Sequence, residues 1–216
     1  MDFLIVIIWI CFAIPLTLSL VFLEKKSRRV MSFVLAGSVI CLFAAFTNGT
    51  INSLCDLDSF YFTVNVSPIT EELFKCIPVL IFAIFVSDNK STLLSLSMAV
   101  GIGFAITENI LIFIQNDASL DVIWAIQRVF GASLMHSITT MAVGYGLSFV
   151  QKRKKLFYTG TFALLVLAIV YHSVYNALVQ SDIAAAGLLM PIVTYIPFVI
   201  VKLKDKNKKE KNNIIS

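Results

Sequence analysis

The stretch Ser67-Pro68-Ile69-Thr70-Glu71-Glu72-Leu73-Phe74-Lys75-Cys76-Ile77-Pro78 opens an apolar run that lasts to Val86. Two adjacent carboxylates and a lysine stand where a membrane span should be apolar. At the centre of a spanning helix each such group costs about 2.5–3.5 kcal/mol on insertion scales. Three of them offset much of what the leucines and isoleucines contribute, unless they have partners or lie near the interface. Partners must be sought elsewhere in the chain.

Composition narrows the search. Of 216 residues, 58% are hydrophobic and only 14% charged, against about 25% in an ordinary soluble domain. Segment after segment is apolar for about 20 residues, the length that crosses a bilayer. The chain reads as an all-α polytopic membrane protein. Residues 1–201 form one transmembrane domain with its candidate site on 67–179, and residues 202–216 form a basic tail. A net charge of +4 does not imply nucleic acid, because the basic residues sit in short loops and the tail. Cys11, Cys41 and Cys76 fall in apolar runs and Cys55 stands alone, so neither a disulfide framework nor a metal spacing is expected.

Seven spans are expected: about Phe3–Leu23, Val30–Thr47, Ser67–Val86, Thr92–Ile114, Val122–Val150, Leu156–Val179 and Ile183–Val201. The first is too long for a signal-peptide core and reads as a retained anchor. The third starts with Ser67 as N-cap and Pro68 at the first helical position. The longest connection, Asn48–Asn65, is polar and acidic. It holds Asn48-Gly49-Thr50, which, with Asn65-Val66-Ser67, matches the glycosylation sequon, a triplet common by chance. The tail is expected to be disordered at its end.

Fifteen of the seventeen Lys and Arg residues fall in alternate connections: residues 24–29, the Lys90 loop, residues 151–155 and the tail. The intervening loops hold none and are acidic. The positive-inside rule then places the N-terminus outside and the tail in the cytoplasm, consistent with a multi-pass protein of the cell membrane.

The remaining two basic residues are Lys75 and Arg128. With Glu71, Glu72, Glu108, His136 and His172, they are the ionisable groups inside the spans. Such groups face the bundle interior or water and usually mark function. Counting at 1.5 Å per residue sets Glu72, Glu108 and His172 about 7–11 Å below the outer boundary. His136 counts as deeper, unless the first turns of its long helix project outside. Lys75 can partner Glu71 at i,i+4 or Glu72 at i,i+3. His172 and Asn176 share a face, and Gly101, Phe104 and Glu108 form a stripe whose glycine permits close helix approach. Ser133 and Thr140 flank His136 and can orient it.

Each feature has a structural alternative. Glu71 and Glu72 can answer a helix dipole, a histidine can bond between helices, and Arg128 fits an interfacial position better than a catalytic one. The conjunction favours a site: three carboxylates and the only two histidines on four spans at compatible depths.

In these motifs the chain resembles the PrsW family of intramembrane proteases. The resemblance rests on Glu71-Glu72-Leu73-Phe74-Lys75, Gly103-Phe104-Ala105-Ile106-Thr107-Glu108-Asn109, His136 with Thr139-Thr140, and His172-Ser173-Val174-Tyr175-Asn176. That family is similar in turn to the CAAX-prenyl-protease and bacteriocin-processing group. There the basic residue comes one position later and histidine stands where this chain has Glu108, which argues against prenyl-protein processing. The resemblance implies Glu71 as the water-activating base supported by Glu72, and His172 with Asn176 as oxyanion stabilisers. Glu108 and His136 complete the polar site, with Lys75 and Asn109 in support. It also implies a membrane-anchored protein substrate and, as one context, regulated cleavage of a signalling protein.

The chemistry is coherent, because peptide hydrolysis needs a base, donors for the oxyanion and an acid for the leaving amine. Two adjacent carboxylates in a low dielectric do not easily both carry charge, so one pair can supply base and acid. No His-Glu-x-x-His motif competes. Zinc is the one cofactor with candidate ligands, namely Glu72, Glu108, His136 and His172. Against it, these come from four spans without a local histidine pair, and a metal-free route is the expectation. A small ion- or proton-coupled transporter is the alternative from another class, disfavoured by the absence of an internal repeat and of paired broken spans. A non-catalytic immunity or scaffold protein on the same fold is a third.

Overall fold

The structure, a computed structural model, describes residues 3–115, 121–150, 155 and 157–215. Among them there is no strand. The described residues form seven long helices: α1 (Phe3–Ser19), α2 (Lys25–Cys55), α3 (Ser67–Phe85), α4 (Lys90–Gln115), α5 (Val122–Leu147), α6 (Phe162–Val179) and α7 (Ala184–Ile215). Short π-helical turns, Phe62–Val66 and Phe157–Thr161, lead into α3 and α6.

Three helices among the described residues are long and apolar enough to cross a membrane: α2, α4 and the Phe157–Val179 segment that contains α6. Val6–Ser19 and Ala184–Pro197 are shorter apolar helices. Helices α3 and α5 are those whose composition is diluted by Glu71, Glu72 and Lys75, and by Gln127, Arg128 and His136.

Helix α3 packs against α2, α4, α5 and α6, and α4 packs most extensively on α2 and α5. Its pattern is inverted relative to a water-soluble helix. Glu71, Glu72, Lys75, Val79 and Phe82 are buried, whereas Ile69, Leu73, Ile77, Ile81 and Ile84 are exposed. In a bilayer the apolar face meets lipid and the polar face must find protein partners. Below the polar residues, Val79, Phe82, Leu93, Leu96, Val100 and Val143 anchor an apolar cluster.

Close approach to α4 depends on glycine. A Cβ on Gly101 would lie 2.5 Å from the His136 carbonyl oxygen, and one on Gly103 would run into the Val34 carbonyl. Without those side chains, α4 reaches the α5 backbone at His136 and the α2 backbone at Val34.

Several boundaries differ from the sequence expectation. The basic segment 24–29 is largely the first turn of α2, which runs on to Cys55. Most of the expected Asn48–Asn65 connection is therefore helical. Polarity there marks a helix end with buried partners rather than a loop. Ser67 is not an N-cap, since its backbone is already right-handed helical and continues the π-turn before it. Its hydroxyl is used elsewhere. Helix α7 runs on through the expected disordered end to Ile215, in keeping with the helix propensity of its lysines and glutamate. Loop residues 116–120 and 151–154 lie outside the described residues.

Candidate active site

Glu72 is the hub. Its Oε1 lies 2.6 Å from Lys75 Nζ and 2.9 Å from His172 Nδ1. Of the two carboxylates within reach, Lys75 therefore pairs with the nearer in sequence. Its ammonium also lies 2.8 Å from His136 Nδ1 and stands over the Phe104 ring, 5.0 Å from the centroid. A lysine donates only, so His136 Nδ1 accepts, and Glu72 with Lys75 links both histidines to α3. Glu72 and Lys75 are 0% exposed. Removing one partner from such a buried pair costs about 3–5 kcal/mol, because the other is left charged and uncompensated.

Glu71 is held differently. Its Oε1 accepts from the Ser67 hydroxyl, one helical turn earlier, and from Asn48 Nδ2 of α2 at 3.4 Å. Its Oε2 is buried without a hydrogen-bond partner and lies 3.7 Å from His172 Nε2. An unsatisfied buried carboxylate oxygen is expensive. Glu72 Oε2 is likewise buried without a partner, but Glu71 Oε2 is the one beside His172 Nε2.

Glu108 reaches the cluster from α4. Its Oε2 lies 3.0 Å from His136 Nε2 and 3.4 Å from Arg128 Nη2, and its side chain is 20% exposed. His136 is thus held at both ring nitrogens, by Lys75 and Glu108. Ser133 and Thr140 do not orient it: Ser133 offers only its carbonyl, to Ser137, while the Thr140 hydroxyl donates to the His136 carbonyl. The two imidazoles meet edge to face at 4.9 Å. His136 lies deeper within its own helix than Glu108 does. Their contact is made because α5 runs on past the level where α4 ends, by about 10 Å at 1.5 Å per residue. Arg128, expected at the interface, instead braces Glu108.

The five expected catalytic residues therefore converge, together with Lys75. The two asparagines do not join them. Asn176 donates through Nδ2 to the Thr63 carbonyl at 3.0 Å, tying α6 to the π-turn before α3. Asn109 is buried, with its Oδ1 unpaired. What sequence reasoning missed is Asn48, placed in a presumed loop, and the part Ser67 plays. The i,i+4 spacing of Ser67 and Glu71 was an available signal. For Asn48 the only clue was that α2 could continue past Thr47.

The expected metal set is not the one brought together. Glu72 holds Lys75 and His172 through Oε1, its Oε2 being buried without a partner, and Glu108 Oε2 meets His136 and Arg128. Instead, Glu71, His136 and His172 each offer a ligand atom, all within 4.8 Å of one another. Ligands of a tetrahedral zinc, each at about 2.0–2.1 Å, stand about 3.4 Å apart. The donors fit such an ion after a contraction of up to about 1.4 Å. The partnerless Glu71 Oε2 is the atom that an ion would satisfy. His136 can join only by exchanging a present partner, and that partner is Lys75. With the lysine donating to Nδ1, the ring's one lone pair is there and Nε2 carries the proton given to Glu108.

Residues 24–202 match the family model described as PrsW family intramembrane metalloprotease. The chain belongs to the PrsW family. No curated protein and no solved structure matches it. As a PrsW family member it is a membrane protein and an intramembrane peptidase, a hydrolase whose substrates are membrane proteins. The matched residues take in all of α3 to α6, from which Glu71, Glu72, Lys75, Glu108, His136 and His172 come.

Proposed function

We propose that the chain is a zinc-dependent intramembrane endopeptidase that cuts a membrane-anchored protein near the outer face of the cell membrane. Glu71, His136 and His172 are the residues that would hold the ion. The observation that carries this proposal is the meeting of their donor atoms within 4.8 Å around the partnerless Glu71 Oε2. When bound, zinc supplies a Lewis acid for the peptide carbonyl and makes water a usable nucleophile near neutral pH.

The surrounding residues have distinct tasks. Glu72 accepts from His172 Nδ1, which fixes that ring's tautomer and leaves Nε2 facing Glu71. Lys75 neutralises Glu72 and, without the ion, occupies the Nδ1 lone pair of His136. Glu108, the site carboxylate with the most solvent access, is placed to carry a proton to the leaving amine. Arg128 holds Glu108 between such transfers. A carboxylate-only route, the one the sequence favours, uses the same free oxygen, with Glu71 Oε2 taking a proton from water directly.

The proposal includes seven spans, with the 48–65 segment outside and residues 151–155 and 202–216 in the cytoplasm, which sets the site near the outer leaflet. Regulated cleavage of a signalling protein is the proposed context. The deciding experiment is cleavage of candidate single-span proteins in proteoliposomes. Loss of cleavage with chelator, restoration by zinc and inactivity of Glu71→Gln are expected. Full cleavage by metal-free protein points to the carboxylate-only route, and cleavage by Glu71→Gln sinks both.

A further inference from the structure

We infer that Asn48 and Ser67 are positioning residues that aim Glu71 at the ion, an inference that rests on the metal reading above. Asn48 lies on α2, outside every motif that marks the site, and its side chain is buried. Both ends of its amide are engaged. Nδ2 donates to Ser67 Oγ at 2.9 Å and to Glu71 Oε1 at 3.4 Å, while Oδ1 accepts from the Thr70 hydroxyl. The opposite orientation would set the amide oxygen against a carboxylate oxygen, two acceptors face to face, so the network fixes the amide as it stands.

Ser67 adds a second restraint. Its hydroxyl accepts from Asn48 and donates to Glu71 Oε1, in a hydrogen bond made possible by the i,i+4 spacing. Both donors therefore converge on one oxygen of Glu71. A carboxylate has two equivalent oxygens and a soft terminal torsion. With Oε1 taken by two donors, Oε2 is left to face His172 Nε2 at 3.7 Å. Donors beyond the ligand itself fix its orientation in this way at metal sites, and their loss typically costs 10–100-fold in metal affinity. The same contacts exclude the Asn48-Gly49-Thr50 triplet as a glycosylation acceptor, since the amide nitrogen points into the protein.

The test is zinc affinity of the full-length, detergent-purified protein, measured by competition with a chelator. Asn48→Ala and Ser67→Ala should each bind zinc about 10–100-fold more weakly than wild type. Ser67→Thr, which restores the hydroxyl, should recover most of the loss, a result that a general packing defect would not give. If Asn48→Ala fails to fold, the serine pair carries the test alone. Zinc lost by Glu71→Gln but held at wild-type strength by Asn48→Ala and Ser67→Ala overturns the positioning role and leaves the metal site standing. Wild-type protein that binds no zinc, or Glu71→Gln that binds it unchanged, overturns the metal reading and this inference with it.

Discussion

Lys75 Nζ and His136 Nδ1 lie 2.8 Å apart, both side chains wholly buried, on helices α3 and α5. The same ammonium lies 2.6 Å from Glu72. One lysine thus holds a carboxylate and an imidazole in register, and substitution tests that directly. Lys75→Met should lower folded stability by about 3–5 kcal/mol. Adding Glu72→Gln should return much of the loss, because the uncompensated carboxylate is then gone. Unfolding of the single and double variants in mixed micelles gives the coupling. Additive losses would show that Lys75 acts by packing alone.

Cleavage should depend on the carboxylates individually. Glu72→Gln, Glu108→Gln and His172→Ala are each expected to slow proteolysis by at least about 100-fold, the scale on which acid–base and oxyanion groups act. Membrane insertion should survive Glu108→Gln, since neutralising that carboxylate lowers its desolvation cost. Glu72→Gln also strips the buried Lys75 of its counter-charge and is compared at equal folded yield. Near-normal cleavage by Glu108→Gln would reduce that residue to a brace for Arg128.

Gly101→Ala should separate α4 from α5. The added Cβ would stand 2.5 Å from the His136 carbonyl, and backbone cannot yield as a side-chain tip can. Overpacking of this kind typically costs about 1–3 kcal/mol. A lowered unfolding temperature, with lost cleavage at temperatures where the variant is still folded, is the expected result. An unchanged melting curve would mean that the helices are not packed this closely.

Reporter fusions should place residues 48–65 outside and residues 151–155 in the cytoplasm, because the loop cations all fall on alternate connections. Residues 151–155 found outside would move the site to the inner leaflet.

Much of this arrangement was legible in the sequence, and the remainder was not for identifiable reasons. The charges of Glu71, Glu72 and Lys75 in an apolar run announced buried partners, and the two histidines were the available candidates. Spacing left Lys75 able to reach either glutamate, and only tertiary packing decided for Glu72. The same holds for the candidate metal ligands: that Glu71 rather than Glu72 is grouped with both histidines depends on where α6 delivers His172. Asn48 was hidden by a boundary error, since polar residues at the end of a long helix look like a loop until their partners are known. Asn176 shares a face with His172, but the sequence does not show that the Thr63 carbonyl lies nearer its amide than the cluster does.

The inverted face of α3 bears on how the protein is made. Glu71, Glu72 and Lys75 emerge from the ribosome before any of the helices that supply Glu108, His136 and His172. Until α6 arrives, α3 holds Glu71 and Glu72 without His172, and each exposed charge opposes its stay in lipid. A chain truncated after α5 should therefore leave α3 open to protease added to the membranes, while one that includes α6 protects it. The polar cluster is thus also the latch that closes the bundle, so a half-built chain lacks a settled fold and the candidate site together.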